Sequence, residues 1–159
     1  MTFRSVDPLS APAVDILREY YVDIVGRYWG RAATSAEVDV AIADEPSDDL
    51  TDTTGVLLIA TIGDEVVGCG GVRFVDETTG ELTRIFIRPT HRGAGVATRL
   101  MTELEARARS NGLGVLQLST RSDLVEARRL YARLGYSEVP AFNSDPYAHH
   151  WFAKQLDGL

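Results

Sequence analysis

A predicted β-strand that leads into a glycine turn and then a helix constrains this chain of 159 residues most. The apolar run at residues 85–87 stops before Pro89, and Gly93 and Gly95 precede an amphipathic segment. A ligand can approach glycine backbone closely because glycine carries no Cβ atom. The first N–H groups of a helix lack partners, and the helix dipole adds partial positive charge. The turn therefore predicts a pyrophosphate site.

Two other glycine motifs fit this turn poorly. A dinucleotide-binding fingerprint needs a small residue where Thr98 stands, and its strand must run straight into the first glycine. Here Ile87 lies six residues before Gly93. A nucleotide-binding P-loop needs a Gly-Lys-Ser/Thr sequence, and this region contains no lysine. Both alternatives are therefore disfavoured.

Two short motifs, at residues 92–97 and 127–136, resemble those of the GNAT superfamily of N-acetyltransferases. The acyl-CoA-binding pattern Gln/Arg-x-x-Gly-x-Gly/Ala is similar to Arg92, Gly95 and Ala97. Further along, the pattern Ala-x-x-Leu-Tyr-x-x-x-Gly-Phe is similar to residues 127–136, which end in Gly135 and Tyr136. The motifs have the right order and spacing, and the resemblance is strong over residues 56–156. Residues 1–55 match it in outline.

Periodicity and turn residues predict the elements of secondary structure. Strands are predicted at residues 3–6, 56–62, 66–75, 81–88, 115–119, 136–142 and 149–156. Helices are predicted at residues 10–29 and 34–43, from the glycine turn to Asn111, and up to Gly135. A Ser or Thr should cap the second helix, whereas Ser122 or Asp123, with Glu126, should cap the fourth.

The order of these elements, β-α-α-β-β-β-α-β-α-β-β, matches the GNAT order. The resemblance implies an α/β (α+β) single domain over residues 1–159, with a central mixed, mostly antiparallel seven-stranded sheet. About four helices should flank the sheet, which should splay at its fourth and fifth strands. Gly68, Gly70 and Gly71 predict a bulge or a close backbone approach in the third strand, and residues 44–55 predict a mobile acidic loop.

Composition limits the classes of function. The net charge is −7, which argues against nucleic-acid binding, and the single cysteine, Cys69, excludes a disulfide framework or a thiolate metal site. No apolar run is long enough to span a membrane and the N-terminus has no secretory region, so the expected location is cytoplasmic. Adjacent His149 and His150 would point to opposite faces of a strand and cannot share a metal simply.

The two halves of the chain differ in charge. Residues 1–80 carry five arginines and fifteen acids, a balance of −10, whereas residues 81–159 carry eleven basic residues and eight acids, a balance of +3. A polyanionic cofactor suits the second half, and the first half would attract a cationic substrate. The alternative is that these charges lie on solvent-exposed surfaces and bind no ligand.

The resemblance implies where the cofactor binds. Backbone groups of Ile85, Phe86 and Ile87 should pair with pantetheine. The turn and the first helical residues should hold the pyrophosphate; they are Arg92, Gly93, Ala94, Gly95, Val96, Ala97 and Thr98. Leu124 stands where many relatives have an asparagine, which removes one expected hydrogen bond to the cofactor.

The resemblance also implies catalytic residues. Tyr131 is the candidate general acid, because a phenol keeps its proton at pH 7; the alternative is a core aromatic. Glu81 is the candidate general base, acting directly or through water. Ser119 lies near the position of the fifth-strand carboxylate that some relatives use. Tyr28 and Trp29 would either line the acceptor cleft or pack in the core.

The expected activity is transfer of acetyl from acetyl-CoA to the primary amine of a small molecule, without a metal. Transfer should be direct in a ternary complex, because Cys69 lies upstream of the cofactor strand and is the only thiol. The alternatives are a protein or peptide N-acetyltransferase and a non-catalytic acyl-CoA sensor. The expected partner is the small-molecule amine, and a homodimer is possible. Binding to nucleic acid or to a membrane is not expected.

Overall fold

A computed structural model describes residues 1–156 of the chain. These residues form one sheet with the strand order β1-β2-β3-β4-β5-β7-β6. The strands are β1 (Thr2–Ser5), β2 (Gly55–Ile62), β3 (Glu65–Phe74), β4 (Thr79–Ile87), β5 (Val115–Thr120), β6 (Ser137–Val139) and β7 (His150–Gln155). The α-helices are α1 (Ala11–Trp29), α2 (Ser35–Asp44), α3 (Val96–Ser110) and α4 (Val125–Arg133). The predicted fold and order of elements are confirmed.

The sheet splays between β4 and β5, as the resemblance implied. Adjacent strands are antiparallel except for this pair, which is parallel and registers only Thr79 with Val115, Gly80 with Leu116 and Glu81 with Gln117. Beyond Glu81 the two strands diverge, so residues 82–87 have no partner strand on the β5 side in the described chain. This edge keeps backbone donors and acceptors available.

Alternating side chains of the inner strands build two cores on the two faces of the sheet. On β2, Leu57 and Ile59 belong to the core under α1 and α2, whereas Leu58 and Ala60 belong to the core under α3 and α4. All four are fully buried. Since burying one large aliphatic side chain stabilises a fold by roughly 1.5–3 kcal/mol, these two clusters hold the helices on the sheet.

The predicted bulge in β3 is confirmed, and it lies against β2. Ala60 pairs with Gly68 and Thr61 with Val66, so Val67 is the extra residue. A second register shift lies between β3 and β4, where Gly70 stands opposite two residues of β4, Arg84 and Ile85. Arg84 has φ of +60°, in the left-handed region that side chains rarely adopt. This second distortion is therefore on β4, beside the splay.

Capping was predicted correctly for one helix and wrongly for another. Thr34 caps α2 and forms a reciprocal capping box with Glu37. At α4 the N-cap is Leu124, which makes no side-chain cap. Ser122 and Asp123 do not cap it because the Asp123 carboxylate accepts hydrogen bonds from Arg121 at 3.0 and 2.9 Å, and the Ser122 Oγ lies 3.4 Å from the His150 Nε2.

Most boundaries agree with the prediction within one or two residues. The exception is β6, predicted at 136–142, which ends at Val139 before Pro140. Proline cannot donate to a strand ladder, so the pairing stops there. The segment 44–55 was predicted as a mobile loop, but Leu50 is fully buried in the core under α1 and α2 and Ser47 is 6% exposed. This segment is therefore anchored at two points.

Candidate active site

A cavity of about 1200 Å³ opens where β4 and β5 separate. Its walls come from α1, α2 and the segment after α2 on one side, and from the glycine turn and α4 on the other. The splayed strands form its floor. It is the place where residues distant in the sequence meet.

The glycine turn presents an open helix N-terminus to this cavity. Gly93 and Gly95 have φ of +79° and +78°, and a Cβ atom built on either would meet nothing within 4 Å. Gly95 is the N-cap of α3, and no side chain caps the first turn, so the N–H groups of residues 96–98 have no such partner. The arrangement suits an anion.

Six of the seven predicted pyrophosphate residues line the cavity, and Ala94 does not. Arg92 turns back on the sheet: its Nε donates to the Ile87 carbonyl at 2.9 Å, and its guanidinium carbon lies 5.7 Å from the centre of the Phe86 ring. An Asp23 carboxylate oxygen lies 3.9 Å from its Nη2. Arg92 therefore braces the turn against β4.

The cofactor strand has the environment that its predicted role requires. Ile85, Phe86 and Ile87 line the cavity on the edge of β4 that has no partner strand. The Phe86 and Ile87 side chains pack in the cores, at 6% and 8% exposure. Side chains therefore stabilise the fold, while the backbone on this edge has no partner strand; one of its acceptors, the Ile87 carbonyl, already binds Arg92.

The position of Tyr131 is compatible with both of the roles that the sequence left open. Its ring packs 6.1 Å from those of Tyr136 and Phe152, and the residue also lines the cavity. Among the described residues its hydroxyl has no hydrogen-bond partner. Burial raises the pKa of Tyr131 well above its ordinary value, so the hydroxyl keeps its proton at neutral pH.

Glu81 lies where pairing between β4 and β5 ends, and its side chain lines the cavity. Burial raises the pKa of this carboxyl above its ordinary value, and the charges of Asp145 and Asp49 raise it further. The charges of Arg73 and Arg84 oppose the shift. A carboxyl with a raised pKa is better matched to taking a proton near neutral pH than an ordinary one.

Acids from the first half of the chain form one wall of the cavity. The lining includes Glu37, Asp44, Glu45, Asp48 and Asp49. Glu37 pairs with Arg31 at 2.7 Å and Asp49 with Arg73 at 2.5 Å. Asp44 and Asp48 make no ion pair within the described residues. We call this set of five residues the acidic wall; it gives that side of the cavity a negative potential.

Aromatic side chains surround the mouth. Tyr28, Trp29 and Tyr147 line the cavity at 50%, 54% and 50% exposure. The Tyr28 ring makes edge contacts with the other two rings at 5.0 and 5.4 Å. Of the two roles that the sequence left open for Tyr28 and Trp29, lining the cleft is the observed one.

The cysteine and the paired histidines lie outside the cavity. Cys69 is fully buried, its Sγ donates to the Arg84 carbonyl at 3.2 Å, and burial raises the pKa of its thiol to about 12. It is therefore no nucleophile at neutral pH. His149 and His150 do not line the cavity. No group of three or more potential metal ligands occurs among residues 1–156.

Sequence reasoning missed Arg84 and Tyr20, which both line the cavity. Arg84 is 6% exposed, and in the sequence it lies two residues from each of Leu82 and Phe86, which are both buried, in the two different cores. A charged residue at an inward strand position was the available signal, since charged residues are almost never fully buried without partners. Nothing in the sequence distinguished Tyr20 from the other residues of helix α1.

A sheet that splays at its one parallel pair, with an uncapped helix N-terminus facing the gap, defines an acyltransferase class of fold. The chain belongs to this class: a model of the acetyltransferase (GNAT) family matches residues 15–136, so the chain is a member of the GNAT family. In the described residues, no helix is long and apolar enough to cross a membrane.

Similar proteins agree with this family. An IAA acetyltransferase of Azospirillum brasilense is 35% identical over 91 residues, which are 57% of this chain and 58% of that protein. A GNAT-family acetyltransferase of Staphylococcus aureus superposes with a TM-score of 0.77 at 13% identity, covering 98% of this chain and all of that one. The PaiA N-acetyltransferase of Thermoplasma acidophilum, solved with coenzyme A, gives 0.73 at 16% identity, covering 98% and 99%. The last two likenesses concern the fold.

Proposed function

We propose that this protein transfers an acetyl group from acetyl-CoA to the primary amine of a small cationic molecule, directly and in a ternary complex. One observation carries the proposal: a single cavity joins the glycine turn, the free edge of β4, Tyr131, Glu81 and the acidic wall. Cofactor and acceptor positions are therefore continuous.

The cofactor side of the cavity fits acetyl-CoA. The open space at Gly93 and Gly95 and the uncapped N–H groups of α3 suit a pyrophosphate. The backbone groups at residues 85–87 would pair with pantetheine in the place that β5 leaves free. Arg92 would support the turn from below through its bond to Ile87.

Glu81 and Tyr131 supply the acid–base groups. Glu81 would take a proton from the acceptor ammonium or amine, directly or through water, so that a nitrogen lone pair can attack the thioester carbonyl. Tyr131 would donate a hydrogen bond to the sulfur as the C–S bond breaks. A thiol has a pKa of about 8.5, below that of this phenol, so complete proton transfer is uphill and the hydrogen bond itself stabilises the thiolate.

The acidic wall supports a cationic acceptor. Carboxylates at Asp44 and Asp48 that lack ion-pair partners within the described residues would attract an ammonium group. Polyamines and amino sugars are therefore the first acceptors to test. A protein substrate and a purely acyl-CoA-binding role are the alternatives that the test must separate.

Calorimetry with acetyl-CoA and a panel of amines with detection of released thiol would test the proposal. We expect acetyl-CoA to bind and small polycationic amines to release thiol faster than neutral amines. Binding without thiol release on any amine or peptide would favour the sensor alternative. Release with peptides alone would favour the protein substrate, and no binding of acetyl-CoA would refute the proposal.

A further inference from the structure

One buried arginine connects the two walls of the cavity. Arg84 lies on β4, next to the residues that border the cofactor site, and its guanidinium reaches the segment 45–47 after α2. We propose that Arg84 is a positioning residue that fixes the acidic wall against the cofactor strand. What the two walls bind rests on the proposed function, but the connection between them is a property of the fold.

The guanidinium holds the segment through neutral oxygens. Its Nε donates to the Ser47 Oγ at 3.0 Å, its Nη2 to the Glu45 carbonyl at 2.9 Å and to the Pro46 carbonyl at 3.5 Å, and its Nη1 to the Thr83 Oγ1 at 2.8 Å. Because the acceptors carry no full charge, the planar fork of donors rather than charge pairing sets the position.

Tyrosines of α1 complete this connection, which joins three elements. The Tyr21 hydroxyl donates a short hydrogen bond to the Glu45 carbonyl and lies 3.0 Å from the Ser47 Oγ, so it shares two atoms with Arg84. The guanidinium carbon also lies 5.6 and 5.5 Å from the ring centres of Tyr20 and Tyr21. Helix α1, strand β4 and the acidic wall therefore meet at one buried cation.

The backbone of Arg84 links this contact to the shape of the cofactor edge. A side chain at φ of +60° clashes with its own backbone, so the conformation persists only if surrounding contacts hold it. The side chain is held by residues 45–47 and by Thr83, and the Arg84 carbonyl accepts from the Cys69 Sγ at 3.2 Å. The distortion in β4, directly before residues 85–87, is therefore held from β3 as well as from the segment after α2.

The charge of Arg84 makes a second, separable contribution. Burial raises the pKa of Tyr20 to about 12 and also raises that of Glu81, and Arg84 opposes both shifts. The other charged groups that affect Glu81 are Arg73, which lowers its pKa, and Asp145 and Asp49, which raise it. Removing the Arg84 charge should therefore raise the pKa of the candidate base.

Two substitutions separate geometry from charge. Arg84→Lys keeps the charge and loses the fork, whereas Arg84→Met removes both. We expect Arg84→Lys to lower kcat/KM for the acceptor by about ten- to a hundredfold, the scale of a misplacement near 1 Å, and to leave acetyl-CoA affinity unchanged. Arg84→Met should in addition move the acid limb of the pH profile to higher pH.

Hydrogen exchange tests the connection without any acceptor. Amides at residues 44–50 should exchange faster in Arg84→Lys, whereas those of α3 should not. Ser47→Ala removes one acceptor and leaves the arginine, so it should act in the same direction with a smaller effect. If the Arg84 variants do not fold, the Ser47→Ala variant still tests the proposal. Arg18→Met is the control, because Arg18 also joins α1 to α2, through Asp39 at 3.0 Å, but on the outer surface.

Wild-type exchange at residues 44–50 in both Arg84→Lys and Ser47→Ala would overturn the proposal. So would an acceptor kcat/KM for Arg84→Lys equal to that of the Arg18→Met control. Failure of the proposed function has a different result: the wild-type protein would acetylate no amine. The exchange experiment would still decide whether Arg84 holds the wall.

Discussion

The cofactor side of the cavity is formed mainly by backbone groups, whereas the acceptor side is formed mainly by side chains. The cofactor side consists of backbone: two glycines with positive φ, an uncapped helix N-terminus and a strand edge without a partner. The acceptor side consists of side chains, and Arg84, Tyr21 and Ser47 meet there from positions 26 to 63 residues apart. The two sides should therefore respond differently to substitution.

The difference explains why one side is conspicuous in the sequence and the other is not. A backbone site needs a particular local conformation, so a short run of residues such as Arg92 to Ala97 specifies it. A side-chain site needs particular neighbours in space, and these depend on how helices pack on the sheet. Loss of a side chain should impair the acceptor side or the chemistry, whereas only an added side chain should impair the cofactor side.

The largest effect is expected for Tyr131→Phe. Ring packing is kept and one hydroxyl is lost, so turnover should fall about a hundredfold while acetyl-CoA affinity stays the same. Enzyme kinetics and calorimetry would measure the two quantities. A large loss of acetyl-CoA affinity would contradict the distinction between the two sides, because a side chain would then contribute to cofactor binding.

Tyr136→Phe is the matched control for this prediction. Its hydroxyl donates to the Glu105 carboxylate at 2.9 Å, and the residue does not line the cavity. We expect this variant to lose about 1–3 kcal/mol of stability with little change in turnover. Similar turnover losses in both variants would mean that the Tyr131 hydroxyl acts through packing.

Gly95→Val tests the backbone side directly. The new side chain enters the open space before α3 and must adopt a left-handed φ, so acetyl-CoA affinity should fall by at least about tenfold. The control is Gly112→Val at the other end of α3, where φ is +80° and a Cβ also meets nothing within 4 Å. It carries the same backbone strain outside the cavity.

Calorimetry and thermal unfolding of these two glycine variants would separate the effect of backbone strain from the effect of blocking the cofactor site. Both should lose stability, but only Gly95→Val should bind acetyl-CoA more weakly. Equal affinities in the two variants would show that the glycine turn does not hold the cofactor.

Glu81→Gln should lower kcat/KM by about tenfold and flatten its acid limb, since the active form of a base is the deprotonated one. Burial raises the folded-state pKa of Glu81, so its contribution to the free energy of unfolding falls as pH rises from the ordinary value of 4.5 through the raised value. The variant should therefore unfold at a higher temperature than wild type at pH 7.

The pH profile of kcat/KM and thermal unfolding would check both parts of this expectation. Glu77→Gln is the control, because Glu77 carries the same charge on an exposed turn outside the cavity. An unchanged acid limb in Glu81→Gln would remove Glu81 from the mechanism. A lowered unfolding temperature would mean that its carboxylate is stabilised rather than penalised by its surroundings.

The smallest effect is expected when Asp44 and Asp48 are both changed to Asn. Removing two screened charges from the acidic wall should weaken use of a cationic acceptor about fivefold and make it less sensitive to salt. The double variant Asp52→Asn and Asp64→Asn removes two charges outside the cavity and is the control. Steady-state rates at two salt concentrations would show whether position or net charge matters.

The fold was predictable because its signals are local. Alternating strands, helical periodicity and Thr34 with Glu37 each act over a few residues, and together they predicted the order of elements. The cap of α4 was predicted wrongly because two local interactions compete for Asp123: its carboxylate binds Arg121, two residues before it, instead of the first turn of the helix. For the site, Glu81, Tyr131 and the glycine turn were expected from motifs, whereas Arg84 was not.

The sequence by itself determined the conformation of the glycine turn, the alternation that divides β2 between two cores, and the excess of acids in the first half. These properties follow from local sterics, side-chain period and composition. Only the tertiary structure decided that Arg84 joins β4 to the segment after α2, and that Tyr28 and Trp29 lie at the mouth of the cavity. The physical reason is that a short hydrogen bond or ring contact between distant residues depends on how all the intervening elements pack.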